Sequence, residues 1–314
     1  RMGYRVVYHD LPKVNICRTP PEVLAAVFGI LPVLDRAPKM MRYMQMIAKL
    51  ACEAPQEVKE TFEDAVDLIK AIAEAIILVN YLDAECDKPR IDSFAGGKRA
   101  DDVERKMCRL KNYIRERLTP FEYNMLKNLV KDRDRESLES LYRYMAQLDL
   151  FRGIISLDED IALEGYDIVI VNLSIALSQI SFAIPIAIHV INKVFTSPEK
   201  IVLFVEEAPA LMASDYIRAS IENLVRQGRK FNKFVVIVTQ APLEVMSQTN
   251  LIIGNIANSR YIKEVMSRVP HMSDALRFVL PIIKPWTFIY IDTTGNIVPV
   301  KILRKVAKHS ASEV

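Results

Sequence analysis

Two adjacent acidic residues follow a strongly apolar segment of the chain. Ile201–Val205 consists of aliphatic and aromatic residues, which predicts a buried strand, and Glu206 and Glu207 come directly after it. Carboxylates that leave a buried strand are costly unless a cation or a polar group meets them. Such a pair can hold a divalent cation and polarise a water molecule. The alternative is a strand end that is simply solvated.

A second apolar segment also ends in polar residues. The pattern of residues 234–238 predicts another strand, which Thr239 and Gln240 follow before Pro242. An amide at this point can orient a water molecule or contact a terminal phosphate. The alternative is an ordinary turn before the proline.

Three cations lie between these two segments. Arg226, Arg229 and Lys230 surround Gly228, where a helix predicted over residues 215–227 ends. The helix dipole favours cations at a carboxyl terminus, and this alone can explain them. The functional alternative is an arginine finger that reaches the nucleotide of a neighbouring subunit. Such a contact can raise a rate by roughly 10³–10⁵.

The segments that carry these residues alternate between strand and helix patterns. After Phe151, almost uninterrupted apolar strands alternate with helices, which predicts a parallel sheet covered on both faces. Ligands bind such sheets at the carboxyl ends of the strands. The predicted strands are residues 167–173, 201–205, 234–238, 251–253, 287–291 and 297–303, and the predicted helices are 178–195, 215–227, 258–268 and 273–280.

The preceding part of the chain has a different pattern. Good helix formers dominate residues 38–148, and apolar residues recur there at spacings of three and four. The predicted helices are residues 39–52, 56–82, 101–118, 120–131 and 135–148, with a loop at 92–97, after a strand at 4–8 and a helix at 20–28. We therefore expect a lead into the α/β core at residues 1–30, an all-α inserted domain at 31–150 and the core itself at 151–314.

Composition limits the classes of function. The 314 residues are 51% hydrophobic and 26% charged, which is ordinary for a globular protein. The net charge of +3 is too small to indicate nucleic-acid binding by the whole chain. Any DNA contact would come from local basic patches, at residues 98–117 and 301–308, although a solvated helix face also explains the first of them.

Cysteine and histidine spacing indicates no metal site. The cysteines (Cys17, Cys52, Cys86 and Cys108) and the four histidines are scattered, and none has the spacing of a zinc knuckle or a redox dithiol. We expect idle thiols in a reducing compartment.

One segment raises the question of a membrane span. Residues 168–191 contain no Asp, Glu, Lys or Arg, and a span needs roughly 20 apolar residues. Several polar residues and Pro185 interrupt the segment, so a buried strand, a turn and a buried helix are the better interpretation. We expect a cytoplasmic location, with at most a peripheral association with a membrane complex.

The strand-end acids, the Arg-x-Gly-Arg-Lys cluster and the Thr-Gln-x-Pro strand end together resemble the second half of the HerA–FtsK superfamily core. This superfamily includes the ATPases of conjugation and DNA-uptake machines. Residues 167–174, which end in Leu-Ser before a long helix, resemble another strand of that core. The resemblance covers residues 150–303 and implies a RecA-like α/β sheet flanked by helices, with a helical insertion.

The resemblance also implies a function and roles for residues. It implies ATP hydrolysis with Mg²⁺, which drives DNA through a homo-oligomeric, hexameric ring. Glu207 would polarise the attacking water, and Glu206 would hold Mg²⁺ through water. Gln240 would act as a sensor, Arg226 and Arg229 as trans-acting fingers, and Thr239 and Lys230 would contact the nucleotide.

Two features depart from the family pattern. The acidic pair is usually Asp-Glu, whereas here it is Glu206-Glu207, which displaces the first carboxylate by one methylene. The sequence also contains no G-x-x-x-x-G-K-[ST] phosphate-binding loop; the nearest run, residues 95–99, lacks the first glycine and the hydroxyl. In the family this loop would precede Arg1. We expect a fragment of a longer protein, or else a member that has lost the loop.

Two other functions stay open. The same core can energise secretion or pilus assembly within a membrane-associated machine. A non-hydrolysing structural or coupling module, derived from the ATPase fold, is the alternative from another class.

Overall fold

A computed structural model describes residues 4–10, 12–27, 38–77, 98–129, 140–141, 143–173, 180–243, 246, 249–269 and 274–301. The protein is a mixed α/β structure with short parallel sheets and helices. It divides into two compact units, Arg1–Lys193 and Val194–Val314.

Helices form most of the first unit. They are α1 (Pro21–Val27), α2 (Pro38–Glu53), α3 (Gln56–Lys59), α4 (Ala65–Ile77), α5 (Lys98–Arg117), α6 (Pro120–Leu129) and most of α7 (Ile180–Thr196). Helix α4 packs against α2 and α5, and Met44, Ile72 and Leu110 are fully buried in these three helices. Tyr113 of α5 donates a hydrogen bond of 2.7 Å to the Leu50 carbonyl of α2. Burial raises the pKa of this tyrosine to about 12.

The single helix expected over residues 56–82 is wrong. The chain turns after α3 and restarts at α4 because side chains compensate the free backbone groups there. The Thr61 hydroxyl donates to the Val58 carbonyl, and the Asp64 carboxylate accepts from the Asp67 amide. Arg152, which directly follows the 3₁₀ segment Ala146–Phe151, pairs with Asp64 of the turn and with Asp67 in the first turn of α4, and so links that segment to the start of α4.

Parallel strand pairs occur in both units. In the first unit β1 (Val6–His9) pairs with β4 (Ile168–Val171), and β2 (Val14–Asn15) pairs with β3 (Ile155–Ser156). In the second unit β5 (Ile201–Val205) pairs with β6 (Lys233–Ile237). Two helices lie between these last strands in sequence, α8 (Ala208–Leu211) and α9 (Asp215–Gln227).

The end of the second unit is an antiparallel sheet. Strands β7 (Leu251–Ile253), β8 (Thr287–Ile291) and β9 (Ile297–Lys301) follow one another in the order β7-β8-β9. Their buried side chains form one apolar cluster with α10 (Ser259–Arg268) and α11 (Leu276–Val279). The predicted pairing of β8 with β9 is confirmed, as is the helix at residues 258–268, which Asn258 caps.

Of the expected parallel sheet covered on both faces, the described residues show short parallel strand pairs. These pairs are separate from one another, and β1–β4 and β5–β6 each have one exposed face, whereas both Val14 and Asn15 of β2 are buried. The exposed face carries large apolar side chains: Tyr8 of β1 is 57% exposed and Phe204 of β5 is 65% exposed.

The expectation of idle thiols is also wrong. Cys17 and Cys52 form a disulfide across 35 residues of sequence, with a Cα–Cα distance of 5.5 Å. Cys108 is disulfide-bonded as well, whereas Cys86 lies outside the described residues. The bridge was not predictable from spacing, because it depends on how the chain folds between Cys17 and the end of α2.

The apolar segment 168–191 contains strand β4 and most of helix α7, as expected, but the expected burial of the strand is wrong, since Ile168 and Ile170 are exposed. Residues 174–179, where the turn was expected, lie outside the described part of the chain, as do the loop at 92–97 and the basic residues after Lys301. Among the described residues, no helix is long and apolar enough to cross a membrane.

Candidate functional site

The carboxyl ends of β5 and β6 bring two of the predicted groups to neighbouring positions. Val205 pairs with Ile237, and the Val238 amide donates a bond of 2.9 Å to the Val205 carbonyl, so the two strands leave the pair side by side. The acidic pair follows β5, and Thr239 and Gln240 follow Val238. Polar side chains of both strand ends therefore lie at the same edge, where parallel sheets bind ligands.

Glu207 has an unusual backbone conformation. Its φ and ψ angles are 50° and 36°, in the left-handed region that L-residues other than glycine rarely adopt. It precedes helix α8, and its carbonyl accepts a hydrogen bond of 3.1 Å from the Ala210 amide. Such strain is concentrated at functional sites, because the rest of the structure must hold it in place. The outlier therefore supports a functional role for this acid.

Both acids are accessible to a ligand. Glu206 and Glu207 are exposed at the end of β5. Two carboxylates at one strand end suit Mg²⁺, which takes one or two protein carboxylates and fills its remaining positions with water and phosphate oxygens. Among the described residues, no group of three or more His, Cys, Asp or Glu side chains could hold a metal ion without such help.

Thr239 has a structural task at the second strand end. Its hydroxyl donates to the Ala241 carbonyl at 2.7 Å and accepts from the Ala241 amide at 3.0 Å. These bonds shape the turn that carries Gln240, whose side chain is exposed. The threonine thus positions the amide, and its predicted nucleotide contact stays a prediction.

The cationic cluster lies at the other end of β6. Helix α9 ends at Gln227, and the 3₁₀ segment Gly228–Phe231 leads into the first residue of β6. Arg226, Arg229 and Lys230 are exposed there, and Arg226 is 3.7 Å from Glu222 on the same helix. A five-residue strand is about 16 Å long. These cations are therefore separated from the acids of their own chain by the length of the strand pair.

Gly228 is required for this arrangement. A Cβ atom at this position would come within 2.8 Å of the Lys233 carbonyl oxygen. Lys233 itself is 1% exposed, and its ammonium donates to the Glu199 carbonyl. The close approach holds the arginine-bearing turn against the start of β6.

A polar cluster in the first unit was not predicted from sequence. Asp160 accepts from His189 Nε2 and Lys193 Nζ, each at 2.6 Å. Burial raises the pKa of the Asp160 carboxyl, but these two hydrogen bonds outweigh it and lower the pKa to about 2. His189 is 1% exposed, and its Nδ1 atom has no hydrogen-bond partner within the described part of the chain. Because a carboxylate can only accept, the imidazole donates the Nε2 hydrogen of this bond.

Only part of this cluster had a sequence signal. His189 and Lys193 are four residues apart, which places them on one face of α7. Asp160 comes from an irregular segment 29 residues before the histidine, and nothing in its surroundings indicated the contact.

The first of the predicted basic patches corresponds to helix α5. Its exposed cations include Arg109, Arg115 and Arg117, whereas the side chains of residues 98–105 lie outside the described part. DNA binding by this surface stays a prediction.

Comparisons with known proteins add no relative. No protein-family model matches the chain, and no curated protein matches it.

Proposed function

We propose that this chain carries the metal- and water-handling part of an ATPase site, in a ring-forming motor of the HerA–FtsK kind that moves DNA. One observation carries the proposal: two acids and a Thr-Gln pair leave neighbouring parallel strands at the same edge. The left-handed backbone of Glu207 adds support. The RecA-like arrangement of the core and its helical insertion belong to the same proposal.

In the proposed site each side chain has a distinct task. Bound Mg·ATP would supply the phosphoanhydride bond and the cation. Glu207 would accept a hydrogen bond from the attacking water, and Glu206 would hold Mg²⁺ through a water molecule. Gln240 donates its amide N–H toward a terminal phosphate oxygen.

The position of the arginines supports assembly. Arg226 and Arg229 lie a strand's length from the acids of their own chain, and this separation suits side chains that serve the site of a neighbouring subunit. A closed ring, which we propose is hexameric, gives every site such a neighbour.

The phosphate-binding loop must come from another polypeptide segment, since this sequence contains none. That loop supplies the backbone donors and the lysine that hold the β- and γ-phosphates. The missing loop, together with Glu206 at a position usually held by Asp, also favours the second candidate, a non-hydrolysing coupling module. Secretion and pilus assembly are further uses of the same core.

We expect this chain alone to hydrolyse ATP negligibly, because nothing in its sequence cradles the phosphates. Steady-state phosphate release should equal that of a Glu207→Gln control. Release clearly above the control would show that the chain binds the phosphates in another way.

Experiments on a form of the protein that includes a phosphate-binding loop distinguish the motor from the coupling module. There Glu207→Gln should bind ATP normally and slow hydrolysis by roughly 10²–10⁴, the usual contribution of a general base. Glu206→Asp should retain or improve turnover, because it restores the usual acid. Equal, negligible turnover in the parent and both variants would favour the coupling module.

A further inference from the structure

The β5–β6 pair has one apolar face that faces solvent, and we call it the open face. It consists of alternate residues of the two strands and of the residue after β6: Val202, Phe204, Phe234, Val236 and Val238. Phe204 is 65% exposed and the others 38–50%. Parallel strands normally have both faces covered, and a contiguous apolar patch rimmed by polar groups indicates a binding surface.

The open face carries opposite charges at its two ends. Lys200 directly precedes β5 and Glu206 directly follows it, and the alternation of side chains along a strand predicts that both lie on the same side as Phe204. The Lys200 ammonium is 5.5 Å from the centre of the Phe234 ring, which confirms its side of the sheet. The amino end of this face is therefore positive and its carboxyl end negative.

This charge pattern is self-complementary about a two-fold axis. The two-fold axis lies midway between the two copies, parallel to their open faces and perpendicular to the strands, at the level of Leu203. A second copy then runs antiparallel over the first, and Lys200 meets Glu206 of the second copy. Phe204 meets Val202 of the second copy, which sets a large side chain against a small one.

The second strand obeys the same symmetry. Leu203 is the register partner of Val235, so the axis also passes at the level of Val235. Phe234 then meets Val236 of the second copy, again a large side chain against a small one. The charges and the side-chain sizes of the two copies are therefore complementary about the same two-fold axis.

We propose that the open face binds the open face of a second copy of this chain, antiparallel and face to face. The two sheets would stack about 10 Å apart, with interdigitated apolar side chains. Five apolar residues are far fewer than the 20–30 on each side of a standard interface, so the dimer is weak, with a dissociation constant in the micromolar range or above. The inference does not rest on the proposed function, and a Glu206 paired with Lys200 of the second copy does not at the same time hold a hydrated metal ion.

Charge reversal tests the symmetry directly. Sedimentation equilibrium over a concentration series, at about 50 mM salt, gives the dissociation constant of the dimer. Lys200→Glu and Glu206→Lys should each weaken it about tenfold, since each change places like charges together twice in a symmetric dimer. An equimolar mixture of the two variants should associate as tightly as the parent chain, and so should the double variant.

The apolar part needs a matched control. Phe204→Ser should weaken the dimer at least tenfold, whereas Ile252→Ser, at an equally exposed apolar residue on β7, should leave it unchanged. Circular dichroism confirms that each variant is folded, and restored association in the mixture does so independently. A chain that is monomeric at all concentrations, or a mixture that fails to associate, overturns the proposal. The proposal is also overturned if Phe204→Ser and Ile252→Ser weaken the dimer equally.

Discussion

Glu207 combines a proposed catalytic role with a strained backbone. An L-residue in the left-handed region is less stable by roughly 1–2 kcal/mol, and glycine adopts this conformation without that strain. Residues that are held in such conformations are often placed for chemistry rather than for stability. Stability and activity are therefore expected to respond in opposite directions at this position.

We expect Glu207→Gly to raise the free energy of unfolding by about 0.5–1 kcal/mol, because relief of the strain exceeds the entropic cost of glycine. Urea denaturation measures the change. Glu206→Gly is the matched control, since Glu206 is not among the residues with positive φ, and it should lower the free energy of unfolding by a similar amount. A loss of stability in both variants would mean that Glu207 is not strained.

Asp160 is expected to make stability depend on pH in the acid range. Its pKa is about 2 in the folded protein and about 3.9 in an unfolded chain. The carboxylate's contribution is therefore present above about pH 4 and disappears as the pH falls through 2. The shift corresponds to roughly 2.5 kcal/mol.

The test compares the parent chain with Asp160→Asn. The difference in the free energy of unfolding should be largest at pH 5–7 and should shrink as the pH approaches 2.5. Asp158→Asn is the control, since that carboxyl is exposed and bound only to Lys59 among the contacts described, and its effect should be below about 0.5 kcal/mol. A difference between parent and Asp160→Asn that does not vary with pH would contradict the assignment.

At the scale of elements, the turn between α9 and β6 matters most for the proposed motor. Gly228 allows the helix end to approach Lys233 closely, and the arginines lie on either side of that glycine. The turn thus holds its cations at a defined position at the start of β6. A neighbouring subunit would meet them there.

In a form of the protein with a phosphate-binding loop, Arg226→Ala and Arg229→Ala should leave ATP binding intact and lower turnover. At least one should cost roughly 10³-fold if it is the trans finger. Mixing either variant with Glu207→Gln protein provides the control, since subunits with intact arginines can serve sites with an intact acid and should restore some activity. Unchanged turnover in both variants would show that the cations serve only the helix dipole.

Sequence patterns predicted most of the elements but not how they pair. The apolar runs at β5, β6 and β7 and the hairpin at β8–β9 were predictable, because strand propensity and turn residues are local properties. The break at Thr61 was missed, because helix-forming residues flank it on both sides, and the Arg152 that pairs with Asp64 there is far away in sequence. Exposure of the open face, which includes Phe204, was not predictable either. A run of apolar residues is compatible with a strand covered on one face and with a strand covered on both.

The candidate site was predictable in part for the same reason. Acids and a Thr-Gln pair after apolar runs can be read from sequence, and their adjacency follows once the two strands pair in parallel. The sequence did not predict the left-handed conformation of Glu207 or the hydrogen bonds of Thr239, because both depend on the backbone geometry after the strands end.

At the scale of the whole molecule, the Cys17–Cys52 bridge joins the start of the chain to its helical unit. Cys17 lies in the 3₁₀ turn Ile16–Arg18 that follows β2, and Cys52 lies in the last turn of α2. Disulfides persist in oxidising compartments and in intracellular proteins of hyperthermophiles. The bridge therefore makes stability depend on redox conditions.

We expect the double variant Cys17→Ser, Cys52→Ser to lose up to about 4 kcal/mol in the free energy of unfolding of the first unit, because a bridge across 35 residues restricts the unfolded chain. Thermal unfolding followed by circular dichroism measures the loss. Each single variant should resemble the double one, since both lack the bridge. A double variant as stable as the parent would mean that the thiols are not bridged in solution.

The same bridge gives the chain a covalent ring. Residues 17–52 form a closed loop of polypeptide, which includes all of α1 and most of α2. A protease that cuts once inside this loop leaves both pieces joined through sulfur. A nicked molecule would therefore run as one band on a gel until a reductant divides it, and a cut elsewhere in residues 1–77 would release a fragment at once.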